Sequence, residues 1–597
     1  MIYLKYYFVR FCLVYRGVEK LARFSYLKKQ VSFVLCSILA YIALYYVSRD
    51  FTQTILPMNR KTMLVINKTY LFGYLYDLII FMVLTTIIVF ILELSPYKLA
   101  QLLFLDLLGF YLVSINIPGG LLLLLSLFIV LYYYLRKDMG LFRYILLYFL
   151  SILLVVDILT ITSLLLFEAR IIPKALLFNQ VFLKGRTIWT LIEYVSIVLF
   201  VLYAWINLLL YLDKFLGGKF NVYKTLSRYM KQLIKKMEDG VGPINILYGF
   251  RGVLLGILFI ALLILYLHSP LHNPGLDPVS VDTYFYWKFF SLADKYGLRN
   301  ALAMYSMARP AYLIVLYGIY SNMPLQLRNP ILLMDILHPI ITLSLLVLAV
   351  YCVANKYYGP RIAGYSAMLT AVGHACITFI AGGYQANSLA LALALLWFYF
   401  YPEKPIVFTL LSLLVILIHP WTFSMYSVII LIYYTLVNRL EKKSLFQLYS
   451  ILFITSIAGE AIDRILSFTS PATTSFKTVY TGIRYTNLPG NWISAFEIWN
   501  WGSQANAVIL LFSLFTIEYS ITSLPLALIA PATLFATPLI LYRLVLNIPL
   551  EILVAKTMSN INKDISILVL LLAISKTIII ATALTPLNTY PWINILE

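Results

Sequence analysis

The fold class that the sequence predicts is all-α, a polytopic bundle of transmembrane helices, and three observations lead to it. Of 597 residues, 62% are hydrophobic and only 12% charged, and the mean hydropathy is +0.89; a chain of this composition has too little polar surface to fold in water. Its apolar residues come in repeated runs, several near the roughly 20 residues that a helix needs to cross a bilayer. Lipid offers no partner to open backbone groups, so such runs must close their hydrogen bonds internally, as helices. Basic residues gather in the connections between runs, where the positive-inside bias places them.

The first element is a basic arm. Lys5, Arg10, Arg16, Lys20, Arg23, Lys28 and Lys29 precede an apolar run at 31–47 that no small-residue cleavage site follows, which reads as a cytoplasmic N-terminus and a retained anchor. Runs at 70–92, 99–115, 119–135, 144–167 and 189–212 follow. An even number of crossings, about six, returns the chain to the cytoplasm at Asp213. The next connection agrees, carrying Lys214, Lys219, Lys224, Arg228, Lys231, Lys235 and Lys236. The breakers in GVGP at 240–243 place a module boundary near residue 240. The expected organisation is an N-terminal membrane module, 1–240, and a second membrane module, 241–597.

The second module opens with a span at 252–267, then a polar and aromatic stretch at 268–309 that belongs on the outer face. Apolar runs follow at 310–320, 331–353, 362–380, 388–401, 406–418, 424–437, 448–466, 508–529, 533–546 and 565–584. Several are short of a full span and could tilt, pair or re-enter. A second polar stretch, 467–507, with Lys477, Arg484, Trp492, Glu497, Trp499 and Trp501, is expected on the same outer face.

The charge excludes less than it suggests. The formal net charge of +20, from 45 Lys and Arg against 25 Asp and Glu, follows from topology and from attraction to anionic headgroups, so no nucleic-acid partner is expected. Cys12, Cys36, Cys352 and Cys376 stand far apart, with no disulfide framework and no CxxC pair. His338, His374 and His419 are isolated and form no HxxxH or HExxH spacing, so neither a metal nor another cofactor is expected. Asp77, Asp106, Asp157 and Glu193 lie in apolar runs, where a charge is costly; they either form an ion or proton path or serve helix packing.

Chemistry concentrates in HSPLHNPGLDPVSVDTYFYWKFFSLADKYGLRN, 268–300. Its prolines and Gly275 predict a turn-rich loop, after which Asp282 stands at a helix N-cap and Gly297 at the C-cap. Tyr284, Trp287 and Phe290 form an aromatic stripe suited to the membrane interface. Asp282 thus has two readings, a cap for its helix or a functional carboxylate at the outer surface.

These residues resemble the GT-C membrane glycosyltransferases, whose first outer loop carries an acidic residue followed by aromatics, as in VDTYFYWKFF. The resemblance continues in ARPAYLIVLYGIY from Ala308, LLVLAVYCVANKYYGPRIAGYSAMLTAV from Leu345, AGGYQANSLALALALLWF from Ala381 and LIHPWTFSMY from Leu417. It covers about 252–466 and includes neither a WWDYG motif nor an acidic neighbour for Asp282. It implies transfer of a sugar from a polyprenyl-phosphate carrier to a lipid, glycan or protein acceptor at the outer face of the cell membrane. In that chemistry Asp282 takes the acceptor proton, while Tyr284, Lys288, Arg309, Lys477 and Arg484 bind substrate, with Arg309, Lys477 and Arg484 the candidates at the departing phosphate. Two other classes remain open from the residues: a transporter or lipid flippase resting on the intramembrane acids, and a non-catalytic membrane scaffold.

Overall fold

The computed structural model describes residues 146–165 in part and, with short gaps, 183–467, 507–535 and 544–583. The described residues hold seventeen α-helices from 183 onward and no strand. Among the described residues, six helical segments are long and apolar enough to cross a membrane: Phe250–Leu267, Leu332–Tyr358, Pro360–Ile380, Pro420–Val437, Lys442–Leu466 and Lys563–Ala581. The chain is an all-α, multi-pass membrane protein.

It divides into two compact units, Met1–Leu159 with Ile172–Lys184, and Thr160–Ile171 with Gly185–Glu597. The boundary expected near residue 240 therefore falls inside the second unit. The reason lies in helix α1 (Leu183–Phe215), which sequence alone assigned to the first module. Its Tyr211 hydroxyl donates to Ser520 O at 3.1 Å, and Trp205 Nε1 donates to Thr533 Oγ1 at 3.3 Å. Tyr519 returns a hydrogen bond to Leu210 O at 3.3 Å. The basic connection, most of it helix α2 (Val222–Lys235), does not mark a break in packing.

The second unit is a series of alternating helices. Helix α3 (Phe250–Leu267) precedes two short helices, α4 (Thr283–Tyr296) and α5 (Leu298–Tyr305), and then α6 (Pro310–Asn322). A π-turn, Leu332–Leu337, leads into α7 (His338–Tyr358). Phe250 meets Tyr351 edge to face with ring centroids 5.9 Å apart, whereas His268 at the other end of α3 faces Asp335 of the π-turn at 3.7 Å. Helices α3 and α7 are therefore antiparallel.

The next span is α8 (Pro360–Ala371) continued by α9 (His374–Gly382). It starts where Gly249 N donates to Pro360 O at 3.1 Å and finishes where Asp282 N donates to Gly382 O at 3.3 Å. Helix α10 (Gln385–Phe400) begins with Gln385 Nε2 donating to Met334 O at 2.9 Å and ends where Lys356 Nζ donates to Tyr399 O at 2.8 Å. The bundle thus has one end with His268, Asp282, Asp335 and Gly383, and an opposite end with Phe250, Tyr358 and Tyr401.

Helix α11 (Pro405–Ile418) and helix α12 (Pro420–Ile432) run toward the His268 end and back. The Tyr434 hydroxyl then donates to Tyr401 O at 2.7 Å at the opposite end. Helix α13 (Lys442–Ser467) starts there, with the Tyr401 hydroxyl donating to Ser444 O at 2.5 Å, and climbs until Gly459 meets the Ile416 side chain. Ser467 thus leaves the bundle at the His268 end, so the stretch expected to share a face with 268–309 begins at that end. The stretch itself lies outside the described residues.

Close packing explains how polar-poor helices hold together without a hydrophobic drive from water. A Cβ on Gly252 would strike the backbone of Gly364, so α3 and α8 approach to backbone contact there, as small residues allow in membranes. The run at 508–529, expected to be one element, is two: α14 (Ala507–Ser513) and α15 (Ser523–Phe535). Between them Ser520 Oγ accepts from Ser523 N at 3.1 Å, so a hydroxyl starts the second helix inside the apolar run. Helices α16 (Leu550–Asn560) and α17 (Lys563–Ala583) complete the bundle.

Candidate functional site

The His268 end carries the loop that sequence singled out. After His268 the chain turns through Asn273, whose Nδ2 donates to Asp277 O at 2.8 Å while Asp277 N donates back to Asn273 Oδ1 at 3.1 Å. Asp277 therefore sits in a locked turn. The chain then passes Val279 and Ser280 and enters α4.

Asp282 does stand at the N-cap of α4, but its own backbone is already helical, φ −76° and ψ −14°, and its side chain makes no capping hydrogen bond. An N-cap oxygen reaches the backbone N–H two or three residues on only when the cap residue is extended. Gly297 closes the helix as expected: φ is +82° and its N donates to Ala293 O at 2.9 Å.

Half-buried Asp282 and Arg309, at the start of α6, both act electrostatically on two buried phenols, Tyr286 and Tyr312. Tyr286 and Tyr312 meet edge to face with centroids 6.3 Å apart. Burial pushes the Tyr286 hydroxyl up to about 12; the Arg309 charge pulls it down and the Asp282 charge pushes it up. Tyr312 is held well above the ordinary phenol value by burial, with Tyr286 adding and Arg309 opposing. No hydrogen bond of ordinary geometry reaches the Tyr286 hydroxyl, although Arg309 and Tyr312 lie close enough to perturb it. The Tyr312 hydroxyl contacts His338 Nε2 at 3.0 Å. The charges of Asp282 and Arg309 thus both act on the same pair of buried phenols.

Below the loop lies Asp335, 2% exposed. Its Oδ2 accepts from Val279 N at 2.8 Å, and its Oδ1 accepts from Ser280 Oγ at 2.6 Å and from Thr283 Oγ1. His268 Nδ1 donates to Ile264 O at 2.9 Å, since a carbonyl can only accept, and its Nε2 lies 3.7 Å from Asp335 Oδ2. From the other side, the turn at Gly383, φ +69°, presses so closely that a Cβ there would meet Asp282 Cβ and Ser280 Oγ, each at 2.8 Å.

The remaining expected site residues are not gathered here. Tyr284, 63% exposed, and Lys288, also exposed, lie on the face of α4 away from Tyr286. Lys477 and Arg484 lie outside the described residues. The aromatic stripe also divides: Tyr284 and Trp287 are exposed, but Phe290 is buried and stacks on Tyr320 with centroids 4.6 Å apart. A three-residue step turns a helix by about 300°, so positions six apart have drifted about 120° around it. Asp335 and Tyr286 were missed. Asp335 had a signal, a lone acid in an apolar run, which costs too much to be incidental. Tyr286 had none, because only the phase of the helix distinguishes it from its aromatic neighbours.

Other polar groups serve packing. His419 caps α12, its side chain accepting from Thr422 N at 3.3 Å. At the opposite end Glu518 pairs with Lys556 and accepts from the Tyr358 hydroxyl at 2.7 Å. Among the described residues, no three His, Cys, Asp or Glu side chains come together to hold a metal ion. Of the acids noted in the first apolar runs, Asp157 is buried; Asp77 and Asp106 lie outside the described residues. In comparisons with known proteins, no family model, no curated protein and no solved structure matches this chain.

Proposed function

We propose that this chain is a membrane glycosyltransferase of the GT-C type, transferring a sugar from a polyprenyl-phosphate carrier to a lipid, glycan or protein acceptor at the outer membrane face. The observation that carries the reading is the state of Asp282: it occupies a cap position without capping, at one end of a helical bundle, and its charge and that of Arg309 both act on the buried Tyr286 hydroxyl. In the reaction the acceptor oxygen bonds to the anomeric carbon, the bond from that carbon to phosphate breaks, and the hydroxyl proton passes to Asp282. Arg309 meets the charge that grows on the departing phosphate, an interaction stronger in the transition state than before it. The sequence resemblance over about 252–466 supplies the sugar-phosphate class, and membrane lipids are the surroundings in which both carrier and protein reside. The exposure of Tyr284 and Lys288 on the outward face of α4 supports contacts with the carrier lipid and its headgroup region rather than with the reacting atoms.

The test is to incubate the purified, folded chain with a panel of polyprenyl-phosphate sugars and lipid, glycan and peptide acceptors, and to measure free polyprenyl phosphate. Release that is lost in Asp282→Asn is the expected result. No release from any donor by folded protein would end the reading.

A further inference from the structure

A carboxylate buried as deeply as Asp335 is costly unless its oxygens are satisfied, and here every oxygen is satisfied by one segment. The three donors, Val279 N, Ser280 Oγ and Thr283 Oγ1, bracket Asp282 in the chain, and His268 Nε2 stands 3.7 Å from the same group. His268 begins the loop and Thr283 ends it, so a single side chain ties both ends of a turn-rich segment to the span that starts at Leu332. Asp335 lies in the π-turn Leu332–Leu337. Such turns change the direction in which a helical side chain points and recur at functional sites.

The other wall is rigid too. Asp282 N donates to Gly382 O at 3.3 Å, and the left-handed Gly383 leaves no room behind Asp282 Cβ. Asp282 is thus gripped through its neighbours and its backbone, and its carboxylate is not spent on capping.

We infer that Asp335 is a positioning residue: it fixes the Val279–Thr283 segment so that Asp282 meets the acceptor hydroxyl, without itself touching substrate. This rests on the proposed transfer reaction, but its structural half stands separately. An error of about 1 Å in a reacting group can cost on the order of 10²-fold in rate. Asp335→Asn keeps the shape but turns an acceptor into a donor facing donors, and should lower kcat about 10- to 100-fold with donor KM within about twofold.

The experiment uses the full chain in lipid nanodiscs and compares Asp335→Asn, Asp282→Asn, their double variant, and Ser280→Ala with Thr283→Val, which removes two arms of the clamp from the loop side. Two quantities are read: transfer rate, and hydrogen exchange of the 279–283 amides. The expected result is faster exchange there in Asp335→Asn and in the Ser280/Thr283 variant but not in Asp282→Asn, with a double variant no slower than Asp282→Asn alone. Residues that act through one another are non-additive, whereas a general loss of folding multiplies the two defects. Unchanged exchange in Asp335→Asn, or a multiplied loss in the double variant, overturns the inference. If exchange rises as stated but wild-type protein transfers no sugar, the clamp stands and the transfer reading falls.

Discussion

Replacing Asp282 by Asn and by Ala separates the two roles its position allows. If the side chain capped α4, Asn would cap about as well, and Ala would cost about 1 kcal/mol relative to Asn. The structure removes that difference: with no side-chain capping bond to lose, the two variants should melt together. Both give up the negative charge near Arg309, a loss of at most about 1 kcal/mol for half-exposed groups and the same for each. Both keep Cβ, the atom that packs against the Gly383 turn. Activity should behave differently from stability. Neither an amide nor a methyl can take a proton from an acceptor hydroxyl, so both variants should lose a factor of roughly 10² to 10⁴ in turnover. The assays are thermal unfolding in detergent and release of polyprenyl phosphate at saturating donor. An Ala variant melting well below the Asn variant would show that the carboxylate caps after all. An Asn variant with full turnover would remove Asp282 from the chemistry.

Four further outcomes follow from the packing and charges. Arg309→Lys should keep the protein folded but lower turnover by about 10-fold or more, because an ammonium cannot reproduce the planar fork of a guanidinium at a phosphate. Gly364→Ala should lower stability by about 1 to 3 kcal/mol, read from thermal unfolding, since a Cβ there meets the backbone at Leu247 and Gly249. Tyr286 has its folded-state value raised from 10.0 to about 12, so its neutral form stabilises the fold fully below the unfolded value and that contribution is lost as pH rises through about 10 to 12. Tyr286→Phe should therefore flatten the alkaline limb of a stability–pH curve, and an unchanged slope would contradict the buried phenol. Cysteines at Tyr284 and Ser503 should label from the same side of the membrane; labelling from opposite sides would sink the shared outer face.

The places where sequence reasoning succeeded and failed have distinct physical causes. Spans such as Phe250–Leu267 were legible because lipid imposes one requirement, internal hydrogen bonding over a fixed length. The turn after His268 and the helix from Thr283 to Gly297 were legible from local chemistry alone, from proline, glycine and cap residues. Position did not settle role at Asp282, because whether an N-cap side chain caps depends on a backbone conformation reached in a segment that the Gly382–Gly383 turn and Asp335 contact from distant parts of the chain. Packing across the connection near residue 240 was not legible either: a run of basic residues reports which side of a membrane a connection occupies, not which helices pack together, and α1 packs against residues some three hundred positions later.

The sequence by itself determined that this chain is helical and lies in a membrane, since composition and run length suffice once the solvent is lipid. It also determined that Asp282 opens a short helix after the span Phe250–Leu267. Only the tertiary structure decided which groups gather around the segment that carries Asp282. Tyr286, Arg309, Tyr312 and Asp335 come from three separate segments. Helix phase turns Tyr286 inward and leaves Tyr284 and Lys288 outside, and a buried carboxylate takes its partners wherever the packed chain delivers donors, a matter of three-dimensional contact that no local pattern of residues records.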